Sequence, residues 1–377
     1  MKNLLVDKNK ITKLKSESTS YASWTLTDRQ VCDLELILNG AFSPLKGFMC
    51  QDELESVLNR NCLLDGSKWT MPVTLQLENE SFKIIQSGSQ IALKSNLGII
   101  VALLDVQEVW KADPEKYAQR WFGTTSKKHP GVERLIDGGN TFVAGRVSLI
   151  ERLESKNRQF ELTPAQTRFV FSRKGWSRVV GFHTRNVIHR VHEHIQLEAL
   201  EKANADGIYI SPISGPRKKG DFLPEQILKS YQLMLDQGLY PPGKVMLGSF
   251  ASYPRYGGPR EAVFTALCRK NMGCSHFVIG RDHTGVGDFY HPDANRKIFD
   301  ELGSLGIEPI FFDAIGYDSQ KKVYKSIDNE STITKISGTD ARAALVSGKA
   351  LPDWYMRNII QDYLREEINS GKAIFSK

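Results

Sequence analysis

Cysteine is scarce in this chain of 377 residues, and its five cysteines are too scattered to form a scaffold. They are Cys32, Cys50, Cys62, Cys268 and Cys274. No two of them stand in a Cys-x-x-Cys arrangement, which argues against a structural zinc site, and their odd number argues against a framework of disulfides. The spacing therefore predicts free thiols, no protein-bound zinc and a reducing compartment, the cytoplasm.

Long apolar runs are also missing. No stretch approaches the ~18–20 consecutive apolar residues that a transmembrane helix needs. The N-terminal sequence MKNLLVDKNKITKLKSEST has neither the sustained apolar core nor the small-residue cleavage pattern of a secretory signal. We therefore expect no membrane partner.

Blocks of a single charge are absent as well. The formal net charge of +7 is spread along the chain without a long run of lysine or arginine. A spread excess of this size is typical of a solvated surface, or of a cleft that attracts nucleotides and small anions. We expect no nucleic-acid partner, and a non-catalytic, RNA-binding or nucleotide-sensing protein is the weakest of the alternatives.

The pattern of predicted elements changes near residue 160. Before it, short apolar runs between turn residues predict a mostly β region, with strands at 70–77, 81–85, 90–93 and 98–106 and a shorter helical stretch around 114–121. After it, strands alternate with helices, and the strands are predicted at 179–182, 208–210, 245–250, 276–279 and 309–312. This alternation predicts an α/β fold with a doubly wound parallel sheet, in which ligands bind beyond the carboxyl ends of the strands.

The segment 183–192 joins a strand end, a polar loop and the start of a helix predicted at 187–203. His189 and His192 are three residues apart, so they share one face of that helix. The start of a helix offers free backbone N–H groups and positive dipole charge, and Arg185 adds donors that fit phosphate or sulfate oxygens. A histidine pair alone is more often structural, and no third ligand favours zinc. Its place directly after a strand favours an anion site.

Two further polar loops follow predicted strands of the same sheet. The segment 276–288 ends a strand in a loop with arginine, aspartate, histidine and two glycines, although the full dinucleotide fingerprint is missing. The segment 251–261 carries Arg255 and Arg260, which either line the same crevice or face solvent. Since the loops leave one edge of one sheet, we expect them to meet in one crevice.

Several longer motifs, in order along the chain, resemble those of the ATP-sulfurylase (sulfate adenylyltransferase) family. The segment 183–192 resembles the family's Gln-Thr-Arg-Asn-Pro-x-His-x-x-His motif. The other matching segments are 32–35, 40–49, 129–132, 258–262, 280–283 and 336–342. The resemblance extends along nearly the whole chain.

The resemblance implies three domains. They are an N-terminal PUA-like β domain at 1–160, a doubly wound, Rossmann-like nucleotidyltransferase domain at 161–316 and a small C-terminal domain at 317–377. The family joins sulfate to ATP, giving adenosine 5′-phosphosulfate and pyrophosphate, usually with Mg²⁺ accompanying ATP, and commonly forms homo-oligomers. A sulfate oxygen attacks the α-phosphorus directly, so catalysis consists of positioning and charge stabilisation.

The resemblance also assigns site residues by position. The implied catalytic residues are Thr184, Arg185, Asn186, His189 and His192. The implied ATP contacts are His183, Thr184, Arg185, Asn186, Gly280, Arg281, Asp282, His283 and Ile315. The implied sulfate contacts are His183, Arg185 and Thr284. His189 and His192 would stabilise the transition state at the phosphates, and no residue is implied to bind a metal.

The chain departs from the family motifs at several positions, and two of them, His183 and Thr284, are positions that contact sulfate in the family. His183 replaces a glutamine, Thr284 an alanine, and Ser211 the histidine of a His-Pro pair. A neutral histidine still donates one hydrogen bond, but it can take up a proton near neutral pH. Adenylyl transfer to another tetrahedral oxyanion, such as selenate, molybdate or a phosphonate, is therefore the alternative to sulfate. Either reaction direction, phosphosulfate synthesis or ATP formation, fits the sequence.

Overall fold

The N-terminal part of the chain forms a mixed sheet. The computed structural model describes residues 16, 18, 20–77, 85–281, 283–327 and 333–376, so most of the strand predicted at 81–85 lies outside the described residues. The strands are β1 (Ser23–Thr25), β2 (Gly47–Phe48), β3 (Leu75–Leu77), β4 (Gln90–Lys94), β5 (Ile100–Lys111) and β6 (Thr141–Leu149). Their order is β1-β4-β5-β6-β2, with β3 also on β6. All pairs are antiparallel except β1 with β4.

This part is less purely β than the sequence pattern predicts. Its helices are α1 (Asp28–Leu38), α2 (Gln51–Arg60), α3 (Pro114–Phe122) and α4 (Pro130–Asp137). Helix α1 begins with a capping box between Thr27 and Gln30, and the side chain of His129 accepts hydrogen bonds from the first amides of α4. These are ordinary helix-start signals. The helix α3 confirms the helical stretch predicted around 114–121, and the other three helices were not predicted.

The middle of the chain forms the predicted α/β layer. Its strands are β7 (Val179–Thr184), β8 (Gly207–Pro212), β9 (Val245–Leu247), β10 (His276–Gly280) and β11 (Glu308–Phe312). Its helices are α5 (Pro164–Arg173), α6 (Arg190–Lys202), α7 (Pro224–Asp236), α8 (Pro259–Met272) and α9 (Ala294–Leu302). All strand pairs are parallel, in the order β11-β10-β7-β8-β9. The strand order reverses between β7 and β10, so the crevice of this doubly wound sheet lies between their carboxyl ends.

Helix α6 begins later than the sequence pattern predicts. Val187 and Ile188 are apolar and 2% exposed, which places them in the core rather than on a helix face. The amide of Ile188 donates to Ser230 Oγ at 3.2 Å, and that of Arg190 donates to the Tyr355 carbonyl at 2.9 Å. Because these tertiary partners hold the loop, the helix begins only at Arg190, and His189 is its N-cap residue.

The C-terminal part packs against the α/β layer. It contains β12 (Ile315–Asp318), β13 (Val323–Ser326), β14 (Ile333–Thr334), α10 (Gly338–Val346) and α11 (Asn358–Asn369). Leu345 and Leu364 belong to the same hydrophobic cluster as Val180 and Ile208. The C-terminal part therefore shares a core with the central sheet. None of the helices within the described ranges is long and apolar enough to cross a membrane.

Candidate active site

The first wall of the site is the loop that follows β7. Thr184, the last residue of this central strand, is buried, and its Oγ accepts a hydrogen bond from the amide of Asn186 at 3.2 Å. This hydrogen bond between residues two apart in sequence turns the chain sharply after the strand. The guanidinium of Arg185 lies 5.7 Å from the ring centre of Tyr256, over its face. The loop thus fixes a cation beside the end of the central strand.

The second wall is the loop that follows β10. The amide of His283 donates to the Gly280 carbonyl at 3.2 Å, and Thr284 has a φ of 59°. Positive φ is unusual for a β-branched residue and often marks a functional loop. The Thr284 hydroxyl has a neighbouring carbonyl as acceptor, Gly258 O at 2.8 Å. The Thr284 hydroxyl, which an alanine at this position would lack, therefore has a backbone carbonyl as its hydrogen-bond acceptor. Asp282 lies outside the described residues.

The two loops meet in one cavity of ≈ 170 Å³ at the switch point. It is lined by His183, Thr184, Arg185, Asn186, His192, Ile213, Pro254, Tyr256, Glu261, His283, Thr284 and Gly285. A second cavity of ≈ 220 Å³ shares His283 and Gly285 with it and reaches Arg281. The expectation that the polar loops face one crevice is confirmed. Tyr256 and Glu261 were not predicted, although both follow the strand β9 in the polar segment singled out from the sequence.

Three predicted site residues do not line either cavity in the described part of the chain. Gly280 ends strand β10, His189 lies behind His192, and Ile315 begins β12 in the C-terminal part. The ring of His189 stacks on that of His192, with centroids 3.8 Å apart and planes at 26°. His189 thus supports a cavity residue, and the prediction that the pair lies together is confirmed.

The histidines around the cavity are held neutral. Burial lowers the pKa of His189 to about 4, and burial together with Arg269 lowers the pKa of His283 to about 3. Burial also holds the pKa of His192 well below its usual range, with a smaller effect from His189. For His183, burial comes first and then the nearby cations, which together hold its pKa well below its usual range. The expectation that His183 can take up a proton near neutral pH is therefore wrong.

No described side chain caps the start of helix α6, and the acidic Glu193 of its first turn is paired with Arg190 and Arg357. His189 makes no side-chain cap hydrogen bond, and within the described ranges the Nδ1 atoms of His189 and His192 have no hydrogen-bond partner. The amide of Arg190 donates to the Tyr355 carbonyl, so only the later amides of the first turn are open to solvent or to a ligand. A negatively charged ligand would meet positive dipole charge at this point.

A second arginine reinforces the positive charge. Arg217 donates to the carbonyls of Ile213 and Arg185, the latter at 3.3 Å. Burial, opposed by Asp221 and assisted by Arg185, lowers the pKa of Arg217 to about 10, so it remains charged near neutral pH. Arg217 was not predicted, and its place in the Gly/Pro-rich loop after β8 is the one local signal that points to it.

The arginines predicted in segment 251–261 have structural roles. Arg255 is buried and pairs with Asp33 of helix α1. Arg260 donates to Asn61 Oδ1 at 2.6 Å and to the Leu58 carbonyl at 2.8 Å. Both arginines therefore tie the N-terminal part to the α/β layer. Neither lines the cavity.

A larger cavity of ≈ 370 Å³ lies away from this crevice, between the two sheets. Its walls include Trp24, Trp121, Arg134 and Arg255, and none of the site residues that the family resemblance implies. Arg134 donates to the carbonyls of Pro254 and Arg255, so the cavity borders the far side of the loop that carries Tyr256. Size alone therefore does not identify the reactive site.

Metal-binding side chains are not clustered in the described ranges. They contain no group of three or more histidine, cysteine, aspartate or glutamate residues arranged to hold a metal ion. Mg²⁺ that accompanies a nucleotide is usually held by phosphates, water and one or two carboxylates.

The geometry defines the class of protein first. A doubly wound parallel sheet whose switch point holds arginines, an uncapped helix start and neutral histidines is a nucleotide-binding α/β protein. The profile of the ATP-sulfurylase family matches residues 158–367, and that of a PUA-like domain matches residues 1–152. The chain belongs to the ATP-sulfurylase family. The predicted fold class, a PUA-like domain followed by an α/β nucleotidyltransferase domain, is confirmed.

Individual relatives agree with this assignment. The chain is 40% identical to the sulfate adenylyltransferase of Symbiobacterium thermophilum over 354 residues, 92% of this chain and 89% of that protein. It is 37% identical to that of Cenarchaeum symbiosum over 330 residues, 86% of each chain. A hexameric APS kinase from Thiobacillus denitrificans has a similar fold, with a TM-score of 0.77 at 23% identity, covering 97% of this chain and 67% of that one.

Proposed function

We propose that this chain is a sulfate adenylyltransferase that joins sulfate to ATP. The observation that carries the proposal is the single cavity at the switch point, where Arg185 and the loop after β10 face each other. A sulfate oxygen forms a bond to the α-phosphorus of ATP. The bond from that phosphorus to the oxygen bridging to the β-phosphorus breaks, and its electron pair leaves with pyrophosphate. The second product is adenosine 5′-phosphosulfate.

The residues of the β7 loop would hold the reacting groups. Thr184, Arg185 and Asn186 are proposed to orient the α-phosphate and sulfate, with Arg185 offering two parallel donors to an oxyanion. His192, supported by the stacked ring of His189, would donate a hydrogen bond to the phosphates as charge moves toward pyrophosphate. Neutral imidazoles suit this role because each keeps one N–H donor near neutral pH.

The residues of the β10 loop would hold the nucleotide. Arg281 and His283 line the second cavity, which shares His283 with the first, and Gly280 and Asp282 remain predicted nucleotide contacts. The backbone amide of Thr284 would contact sulfate, since its hydroxyl bonds to a carbonyl. Ile315 remains a predicted nucleotide contact that lies outside both cavities.

Several wider properties belong to the same proposal. Mg²⁺ would enter with the phosphates of ATP and offset their charge. The free cysteines fit a cytoplasmic location, and we propose a homo-oligomer without a nucleic-acid partner. The division into three domains, with boundaries at about residues 160 and 316, stays a prediction.

A panel of oxyanions tests the proposal. The full chain is incubated with ATP and Mg²⁺, and pyrophosphate release is measured with sulfate, selenate, molybdate, a phosphonate or no added anion, with product masses checked. Sulfate-dependent release together with the mass of adenosine 5′-phosphosulfate is expected. Turnover with another anion and none with sulfate would identify that anion as the second substrate. Salt-dependent RNA binding without pyrophosphate release would favour a binding protein.

A further inference from the structure

Arg269 is a fully buried cation directly behind the active-site cavity. It lies in helix α8 with 0% exposure, and its guanidinium is 4.1 Å from the ring centre of Phe250. Its Nε donates to Ser211 Oγ at 2.8 Å, and its Nη2 donates to the Ser211 carbonyl at 3.0 Å. These contacts with β8 and with an aromatic ring fix the guanidinium in one position.

The same guanidinium reaches His183. Its Nη2 lies 2.8 Å from His183 Nδ1. His183 on β7 and Ser211 on β8 are register partners in the parallel sheet, so one arginine contacts both. A guanidinium has only donors, so Nδ1 must accept this hydrogen bond. A neutral imidazole that accepts at Nδ1 carries its proton on Nε2.

The surroundings of His183 oppose a second proton. The charged or titratable groups that act on it are Arg269, His283, Arg185 and Arg217, and burial has the largest effect. Each of these groups disfavours a positive imidazole. Nε2 has no hydrogen-bond partner within the described ranges, and His183 borders the cavity, so its N–H is available to a ligand there.

We propose that Arg269 is a positioning residue that holds His183 as an Nε2–H donor, so that the second-substrate subsite takes a fully deprotonated tetrahedral oxyanion. This inference rests on the proposed function. An imidazole held in this way accepts at one end and donates at the other, as a glutamine side chain does. The replacement of glutamine by histidine therefore leaves the preference for sulfate-like dianions unchanged.

The position of His183 also affects oxyanions that carry a proton. Such an anion, for example hydrogen phosphate, needs an acceptor for its own hydrogen. The carboxylate of Glu261 lines the cavity, and its two oxygens accept from the amides of Arg255 and Gly257, each at 2.9 Å, which leaves a lone pair on both. His183, held by Arg269, offers only a donor at Nε2. At this position, an oxygen without a hydrogen is the ligand that fits.

Nitrogen-15 spectra of the histidine rings test the tautomer directly. The full chain is labelled with ¹⁵N-histidine, and the His183 signals are assigned by comparison with His183→Gln. We expect the Nε2–H form near neutral pH in the wild-type protein. Arg269→Met should abolish this preference and raise KM for sulfate about 10-fold or more, while KM for ATP changes less than about twofold.

Three further variants separate positioning from a general structural effect. Ser211→Ala removes another Arg269 contact without altering His183, so it should keep the tautomer and the KM for sulfate within about threefold. Arg269→Lys retains a donor and should keep the tautomer of His183. This variant is measured as well, in case Arg269→Met fails to fold. His183→Ala removes the donor at Nε2 and should raise the KM for sulfate about as much as Arg269→Met does.

Two results would overturn the inference. The first is an Nδ1–H or positively charged His183 in the wild-type protein. The second is a change in tautomer and KM for sulfate that is as large in Ser211→Ala as in Arg269→Met. Absence of anion-dependent pyrophosphate release in the wild-type protein would contradict the proposed function instead, and the spectra would still decide the tautomer.

Discussion

Replacing Asp33 with Asn leaves the Arg255 guanidinium buried without its counter-charge. Both side chains are 5% exposed, and the carboxylate accepts from both Nη atoms of Arg255 and from the hydroxyl of Tyr253, at 3.0 Å. At an effective dielectric constant of about 20, opposite charges about 4 Å apart attract by roughly 4 kcal/mol. Removal of one partner from a buried pair typically costs about 3–5 kcal/mol. Since Asn retains a hydrogen bond, we expect a loss of about 3 kcal/mol.

Urea denaturation, followed by circular dichroism and tryptophan fluorescence, measures this loss. The matched control is Asp137→Asn, which removes the acidic partner of Lys127 in a pair whose side chains are 58% and 57% exposed. Water screens that pair, so the control should show no measurable loss of stability. Equal stability of Asp33→Asn and Asp137→Asn would refute the reasoning that the buried pair holds the N-terminal part against the loop of the active site.

Other predictions follow from the same geometry. His189 and His283 have pKa values of about 4 and 3 in the native state, so below about pH 6.5 they bind fewer protons there than in the unfolded state. The free energy of unfolding should therefore fall as the pH drops from about 6.5 toward 4. Each histidine should contribute at most about 1.4 kcal/mol per pH unit to this fall. Urea denaturation at a series of pH values should show a shallower slope of this free energy against pH for His283→Gln than for the unmodified chain. Arg185→Lys should lower kcat/KM for sulfate about 100-fold by losing the parallel donors, with unchanged urea stability; an effect below about threefold would contradict its role. Thr284→Ala should change KM for sulfate less than about threefold, because the side-chain hydroxyl bonds to a carbonyl; loss of sulfate use would show that the hydroxyl contacts the anion.

The crevice was predictable because it depends on element order. Alternating strands and helices determine that β7 and β10 lie on either side of the switch point, and polar residues directly after those strands must then meet. The spacing of His189 and His192 likewise predicts that their rings lie together. These inferences need only local pattern and the general rules of parallel sheets.

The remaining features depend on contacts between distant segments. Helix α6 starts late because Ile188 bonds to Ser230, which is 42 residues further along the chain. Arg269 has the spacing of an ordinary helix residue, and its role appears only when β7 and β8 bring His183 beside Ser211. The local sequence around Arg255 is typical of a ligand-binding loop, and its partner Asp33 lies far away in the chain. Local sequence contains no signal for such partners.

The reverse reaction tests the central claim most directly, because phosphosulfate synthesis is uphill and ATP formation is the favourable direction. Purified full chain is mixed with adenosine 5′-phosphosulfate, pyrophosphate and Mg²⁺, and ATP is measured by luminescence while released sulfate is quantified. We expect ATP and sulfate in equal amounts, with the rate strongly reduced in Arg185→Lys. ATP formation that is absent, or that is equally fast in Arg185→Lys, would contradict it.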